Sequence, residues 1–307
     1  TVLYDATAAA AATSLKTGLA NARWQAVMFS GLSFWCNGAD TPQTYNGTAF
    51  SNWTGTGAGL TVTTVIGCHV HKNRLYVWME NDQSFFYGAT NTIGGTFTEF
   101  DLSNITEMGG AIVAMGTWSF DSGSGPDDLA VFFMSSGEAI VYQGNDPGTA
   151  ADWSLVGRFR LGAPLGVRTV AKLGADLVVT TREDYEHLGG VFRRATDETL
   201  APKSKASGAL IERAASNPTL FGWQLIVFPA GGFMVANIPL TATTFEQHVM
   251  NTRTSAWCRW KGINASAWGL YNNDLYFGGA GGIVYKAHNT RADAGAVINL
   301  DASTAWD

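Results

Sequence analysis

Apolar residues in this chain fall into short runs broken by Gly, Asn, Asp and Ser, and the runs come in pairs. Six segments read as an apolar run, a polar or glycine turn, and a second apolar or aromatic run. They are WQAVMFSGLSFWCN from Trp24, NRLYVWMENDQSFFY from Asn73, DDLAVFFMSSGEAIVY from Asp127, ADLVVTTREDYEHL from Ala175, WQLIVFPAGGFMVAN from Trp223 and NDLYFGGAGGIVYKA from Asn273. Aligned on Ala26, Leu75, Leu129, Leu177, Leu225 and Leu275, they are spaced by 49, 54, 48, 48 and 50 residues. A period of about 50 residues marks a repeat architecture. Ser30-Gly31, Asn81-Asp82, Ser136-Gly137 and Gly231-Gly232 are residue pairs that tight hairpin turns require. The arms are apolar without clean alternation, as expected of strands covered on both faces. The pattern predicts an all-β fold, a six-bladed β-propeller of repeated antiparallel hairpins.

Weaker strand candidates with recurrent aromatics lie between the hairpins: Phe50 to Trp53, Phe97 to Phe100, Trp153 to Leu161 and Trp257 to Trp260. These read as the outer strands of the blades, with tryptophan packed between neighbours. Two regions depart from the repeat. Residues 192–216 concentrate charge, and Ser204 to Ala215, stopped by Asn217-Pro218, predict a short helix in an insertion between the fourth and fifth units. That insertion reads either as a solvated loop or as a subunit contact. At the ends, Thr1 to Ala6 matches Gly282 to Ala287 without a first arm, and Ala296 to Leu300 begins a further apolar run. The expectation is a single propeller over 1–307, a fragment of a longer chain, with ring closure dependent on segments outside it.

Composition sharpens the picture. With 307 residues, 36 Gly, 17 Phe, 11 Trp and only 14% charged residues, the chain has enough apolar material for a large β-rich core and is not disordered. A net charge of −6 gives no overall basic footprint for gripping nucleic acid. Cys36, Cys68 and Cys258 are odd in number and lack a CxxC pair, so they read as buried small apolar residues. No apolar stretch approaches the roughly 20 residues that span a bilayer.

The chemistry is sparse. Ser119 to Gly123 resembles one Asp-containing turn of the six-bladed sialidase-type hydrolases only loosely, and no arginine trio accompanies it. Glu80, Glu99, Glu138 and Asp184 are candidate carboxylates for glycoside hydrolysis, but nothing in the sequence places two of them across a site. His69 and His71 share one strand face without an evident third metal ligand; a hydrogen-bonded pair is the simpler reading. Asp121, Asp127 and Asp128, interspersed with Gly123, Gly125 and Pro126, do not have the spacing of a calcium loop and read as a hairpin turn. No phosphate loop and no GxSxG turn occurs. Catalytic, cofactor and metal assignments are therefore none.

Val141 to Pro147 (VYQGNDP), Trp153, Val156 to Phe159 (VGRF) and Gly162 to Gly166 (GAPLG) resemble the tail hub or tail nozzle proteins of short-tailed bacteriophages. So do Asn251 to Trp260 (NTRTSAWCRW) and Asp274 to Gly278 (DLYFG), the resemblance being best from about Asp127 to Lys286. It implies a structural protein of the virion tail, a ring of six copies beneath the portal and adaptor. Such a ring forms part of the conduit for DNA ejection and touches exiting genomic DNA only transiently. Cyclic assembly of this kind needs a heterologous interface that closes. A receptor- or glycan-binding propeller, and behind it a sialidase-like hydrolase, are the competing expectations.

Overall fold

A computed structural model describes residues 1–6, 12–121, 126–194, 205–279, 282–288, 292–293 and 296–297. Its main feature is six antiparallel sheets that follow one another along the chain, the six blades of a β-propeller. The first blade comprises Gln25–Phe29, Leu32–Cys36, Gln43–Tyr45 and Phe50–Asn52. The second comprises Val65–His71, Arg74–Met79, Ser84–Tyr87 and Thr98–Asp101. Ile112–Asp121, Pro126–Met134, Glu138–Gln143 and Ser154–Arg160 build the third. Among the described residues the fourth has three strands, Val170–Leu173, Asp176–Thr180 and Tyr185–His187. The fifth returns to four, Gln224–Phe228, Phe233–Pro239, Phe245–Asn251 and Trp257–Lys261. Among the described residues the sixth has three strands, Ala267–Tyr271, Asp274–Gly278 and Val284–Ala287.

All four turn pairs expected from the sequence connect neighbouring strands. Ser30 and Gly31 both have positive φ, 52° and 78°, the combination a two-residue hairpin loop needs to match strand twist. Lys72-Asn73 and Asn272-Asn273 take the same conformation without glycine, so Asn tolerance of the left-handed region serves where no Gly is present.

The sequence alignment of the six units needs a correction at two of them. In the second, third, fourth and sixth units the predicted hairpin is the second and third strands of a blade, whereas in the first and fifth it is the first and second. The corresponding second strands there are Leu32–Cys36 and Phe233–Pro239. The slip arises because in these two blades the glycine turn and both apolar arms belong to the first hairpin, whereas the third strands, Gln43–Tyr45 and Phe245–Asn251, carry polar residues and follow longer connections.

The predicted outer strands are present as Phe50–Asn52, Thr98–Asp101, Ser154–Arg160 and Trp257–Lys261. Their aromatics pack inward: Trp53 and Trp153 are buried, Trp257 stacks on Tyr185 at 4.6 Å and Trp260 meets Phe233 edge-on at 5.4 Å. Among the described residues helix α1 (Leu188–Arg194) leads into the charged insertion and helix α2 (Lys205–Ser216) lies within it. It is more than a solvated loop, because α2 buries Leu210 and Ala214 against Trp223 and Met234, and α1 buries Leu188 in the core shared by the third and fourth blades. Asn217 stops α2 and donates its side-chain amide to the Leu240 carbonyl at 3.1 Å.

Apolar clusters fill the spaces between successive blades. Phe34, Trp53, Leu75 and Phe86 join the first to the second. Tyr76, Phe85, Phe132 and Trp153 join the second to the third, and Trp118, Leu129, Phe133 and Leu177 the third to the fourth. Tyr185, Trp223 and Met234 join the fourth to the fifth, and Phe228, Val235, Trp268 and Leu275 the fifth to the sixth. Among the described residues none of these five clusters spans the sixth and first blades. The large apolar side chains left in solvent belong in part to those two blades: Met28 is 70% exposed, Tyr271 56% and Val284 54%.

The N-terminal arm finds a partner that the sequence reading left unassigned. Leu3–Asp5 pairs with Thr13–Lys16, and Lys16 reaches Asn52 of the first blade at 3.2 Å. Near the other end Ala296–Val297 pairs with Ala292–Asp293; the remainder of the predicted run at 298–300 lies outside the described residues. No helix among the described residues is long and apolar enough to cross a membrane.

Candidate functional site at the propeller axis

Six inner strands around an axis leave a space that their small or polar side chains fail to fill. Here that space is a cavity of about 620 Å³ lined from all six blades, by Gln25 and Ala26, Gly67 and His69, Met115, Val170, Gln224 and Leu225, and Ala267 to Leu270. A second recess of about 300 Å³ shares Gln25, Val167 and Arg168 with it and opens among Asn21, Arg23, Glu80 and Phe221.

Arg168 lies just before the first strand of the fourth blade. Its backbone carbonyl accepts from Leu225 of the fifth blade at 2.8 Å, and its guanidinium donates to the Ser266 carbonyl beside the sixth at 3.3 Å. The guanidinium carbon sits 4.4 Å from the centre of the Phe221 ring, and that of Arg23 sits 5.1 Å from the same ring. Two cations thus share one aromatic ring, the electrostatic attraction being to its π face. Burial pulls the Arg168 pKa down to about 10, which leaves it charged at neutral pH. Among the described residues neither arginine has a carboxylate within ion-pair distance.

His69 and His71 do share a strand face, and the third blade supplies their partner. The Thr117 hydroxyl lies 3.0 Å from His69 Nε2 and 2.9 Å from His71 Nδ1. Burial, helped by Lys172 at His69 and by His69 and Lys72 at His71, lowers both pKa values to about 4, so both rings are neutral near pH 7. They pin the second blade to the third.

The structure does not gather the candidate carboxylates. Glu80 borders the axial recess, while Glu99 in the outer strand of the second blade accepts from Ser84 Oγ at 2.7 Å. Glu138 is buried in the third blade and accepts the backbone amides of Glu107 at 3.1 Å and Met108 at 3.2 Å, fixing the loop that enters that blade. Asp184 accepts from Ser207 Oγ and ties α2 to the fourth blade. Glu99, Glu138 and Asp184 thus hold local structure, each in a separate place. Asp127 forms an ion pair with Lys72 at 2.8 Å and accepts from Gln143, while Asp128 accepts from Ser119. Residues 122–125, including Gly123 and Gly125, lie outside the described residues. Among the described residues no three His, Cys, Asp or Glu side chains converge on a point where a metal ion would fit.

The expectation for the cysteines needs correction. Cys36 is buried, and burial together with the neighbouring Cys68 thiol raises its pKa, but Cys68 is only partly buried and Cys258 is exposed on the outer strand of the fifth blade. The solvent-facing side of a strand cannot be told from its sheet-facing side where polar and apolar residues do not alternate cleanly. Thiol titration of the native protein is expected to label Cys258 first and Cys36 only on unfolding. Rapid labelling of Cys36 in the native state would contradict its burial.

The pairing of Arg23 and Arg168 at Phe221 is invisible in the sequence. Arg23, Arg168 and Phe221 precede different blades, and only ring closure brings them together.

No family model matches the chain, and no curated protein does. The solved structures similar to it have very low identity. YCF48 bound to a D1 peptide is 9% identical, with 88% of this chain and 87% of that one covered at a TM-score of 0.49. A 6-phosphogluconolactonase candidate from Bacteroides uniformis is 8% identical, with 94% of each chain covered at a TM-score of 0.47.

Proposed function

We propose that this chain is a structural protein of a bacteriophage tail, of the nozzle or hub kind, that assembles as a ring of copies around the DNA exit path and performs no catalysis. The observation that carries this reading is the bare flank of the sixth blade. Among the described residues that blade has three strands, the last of them, Val284–Ala287, holds exposed Val284 and Tyr285, and no apolar cluster covers the side facing the first blade. An unpaired apolar strand edge is an aggregation hazard in a free monomer and a ready contact in an assembly. The sequence resemblance from about Asp127 to Lys286 points to the same class of protein. The absence of a basic footprint suits a conduit wall that does not retain DNA.

The test is to co-express the full-length protein with the portal and adaptor proteins encoded beside it and to image the product by negative stain. A six-fold particle containing this protein is expected. A strictly monomeric full-length protein with no affinity for those partners would overturn the reading, as would saturable turnover of glycosides or lactones.

A further inference from the structure

We infer that the recess at the mouth of the axial cavity is a binding site for one oxyanion group, a phosphate or carboxylate of a small molecule, held by Arg23 and Arg168, both set against the Phe221 ring. This goes beyond the assembly reading and is tested on the isolated chain, so the two stand or fall separately.

The argument starts from unmet hydrogen-bonding capacity. A guanidinium carries five N–H donors, and among the described residues Arg168, partly buried, finds one side-chain acceptor, the Ser266 carbonyl at 3.3 Å. Burying a cation is costly unless an anion or several acceptors compensate. The chain does supply carboxylate partners to other arginines: Arg74 pairs with Asp146 at 3.1 Å and Arg158 with Glu107 at 2.7 Å. At Arg168 it supplies an aromatic face instead. That fixes the plane of the guanidinium while leaving its N–H edge available, the geometry suited to a forked contact with a planar or tetrahedral oxyanion. Arg23, exposed and set against the same ring at 5.1 Å, adds a second positive charge at the entrance.

The shape fits a small ligand. The recess of about 300 Å³ is too small for a double helix and accepts a phosphate or a short organic acid, and the Gln25 amide at its shared boundary with the axial cavity offers one more donor. Glu80 also lines it, so the local charge is one unit positive rather than two and favours one anionic group over a polyanion. Position matters as well: Arg168 connects the fourth, fifth and sixth blades, and Arg23 enters the first. An occupant would bridge blades on both sides of the interface that, among the described residues, lacks an apolar cluster.

The test titrates the chain by calorimetry with potassium phosphate and, separately, potassium malonate, holding ionic strength constant with potassium chloride. Saturable binding of either anion is expected, and binding of only one would restrict the ligand to that class. Arg168→Gln and Arg23→Gln should each weaken it at least about tenfold, the scale of one lost charge-assisted contact, while Lys261→Gln on the fifth blade leaves it unchanged. Circular dichroism checks that each variant is folded. If Arg168→Gln does not fold, the exposed Arg23→Gln decides. No saturable binding of either anion, or binding unaltered in the folded arginine variants, would overturn the assignment.

Discussion

Acidification from pH 7 to pH 5 is expected to cost the fold up to about 2 kcal/mol for each of His69 and His71, a loss read as a falling urea midpoint. Both rings are neutral in the folded protein down to about pH 4, whereas in the unfolded chain they take up protons near the ordinary value of 6.5. Below pH 6.5 the unfolded state therefore binds more protons, and stability falls as pH drops, with the loss from these two groups complete below about pH 4. His248, whose pKa burial also lowers, adds to the loss in the same direction. Asp127 and Asp176 have depressed pKa values, so their stabilising contribution begins to disappear only as pH falls below the ordinary carboxylate value of 3.8. The interval between pH 6.5 and 4.5 isolates the histidines. His71→Gln, which keeps a polar partner for Thr117, should flatten that slope. Stability unchanged between pH 7 and pH 5 would sink the argument.

The histidine pair also illustrates what the sequence could and could not convey. Two histidines at i and i+2 in a strand must share a face, so their closeness was legible. Thr117, almost fifty residues away, was not. The same division holds through the molecule. The blades, their turns and their outer strands follow from local pattern, because each hairpin is built from neighbouring residues. The assignment of strand order within the first and fifth units failed where the glycine turn and the apolar arms belong to the first hairpin of the blade and the third strand is polar, and only the pairing of Gln25–Phe29 with Leu32–Cys36, and of Leu32–Cys36 with Gln43–Tyr45, settles which strand is innermost. Helix α2 was legible from its stop signal at Asn217-Pro218, but its burial against Trp223 depends on a contact between elements. The axial arginines were the least legible of all, since no periodicity marks a residue in the connection preceding a blade.

The second large effect is expected at Asn237, on the second strand of the fifth blade. Its side chain is almost fully buried and uses all of its hydrogen-bonding capacity. Nδ2 donates to the Gly222 carbonyl at 2.8 Å and to the Ala265 carbonyl at 3.0 Å, and Oδ1 accepts from Gln247 Nε2 and Trp268 Nε1, both at 2.9 Å. Gln247 keeps a second acceptor in the Ile263 carbonyl at 2.9 Å. Asn237→Ala therefore strands chiefly Gly222 O, Ala265 O and Trp268 Nε1 in an apolar setting, at a cost of about 3–5 kcal/mol. Asn237→Asp should be no better, because it places a carboxylate oxygen against two carbonyls. The location of the damage is as informative as its size. The sixth blade is joined by an apolar cluster to the fifth blade but, among the described residues, by none to the first. Loosening the Asn237 network should thus release the sixth blade ahead of the rest. Hydrogen exchange in Asn237→Ala is expected to accelerate most in Ala267–Tyr271 and Asp274–Gly278, with Arg74–Met79 and Pro126–Met134 still protected. A loss of less than about 1 kcal/mol, or exchange accelerating evenly around the ring, would show that the sixth blade has support from elsewhere.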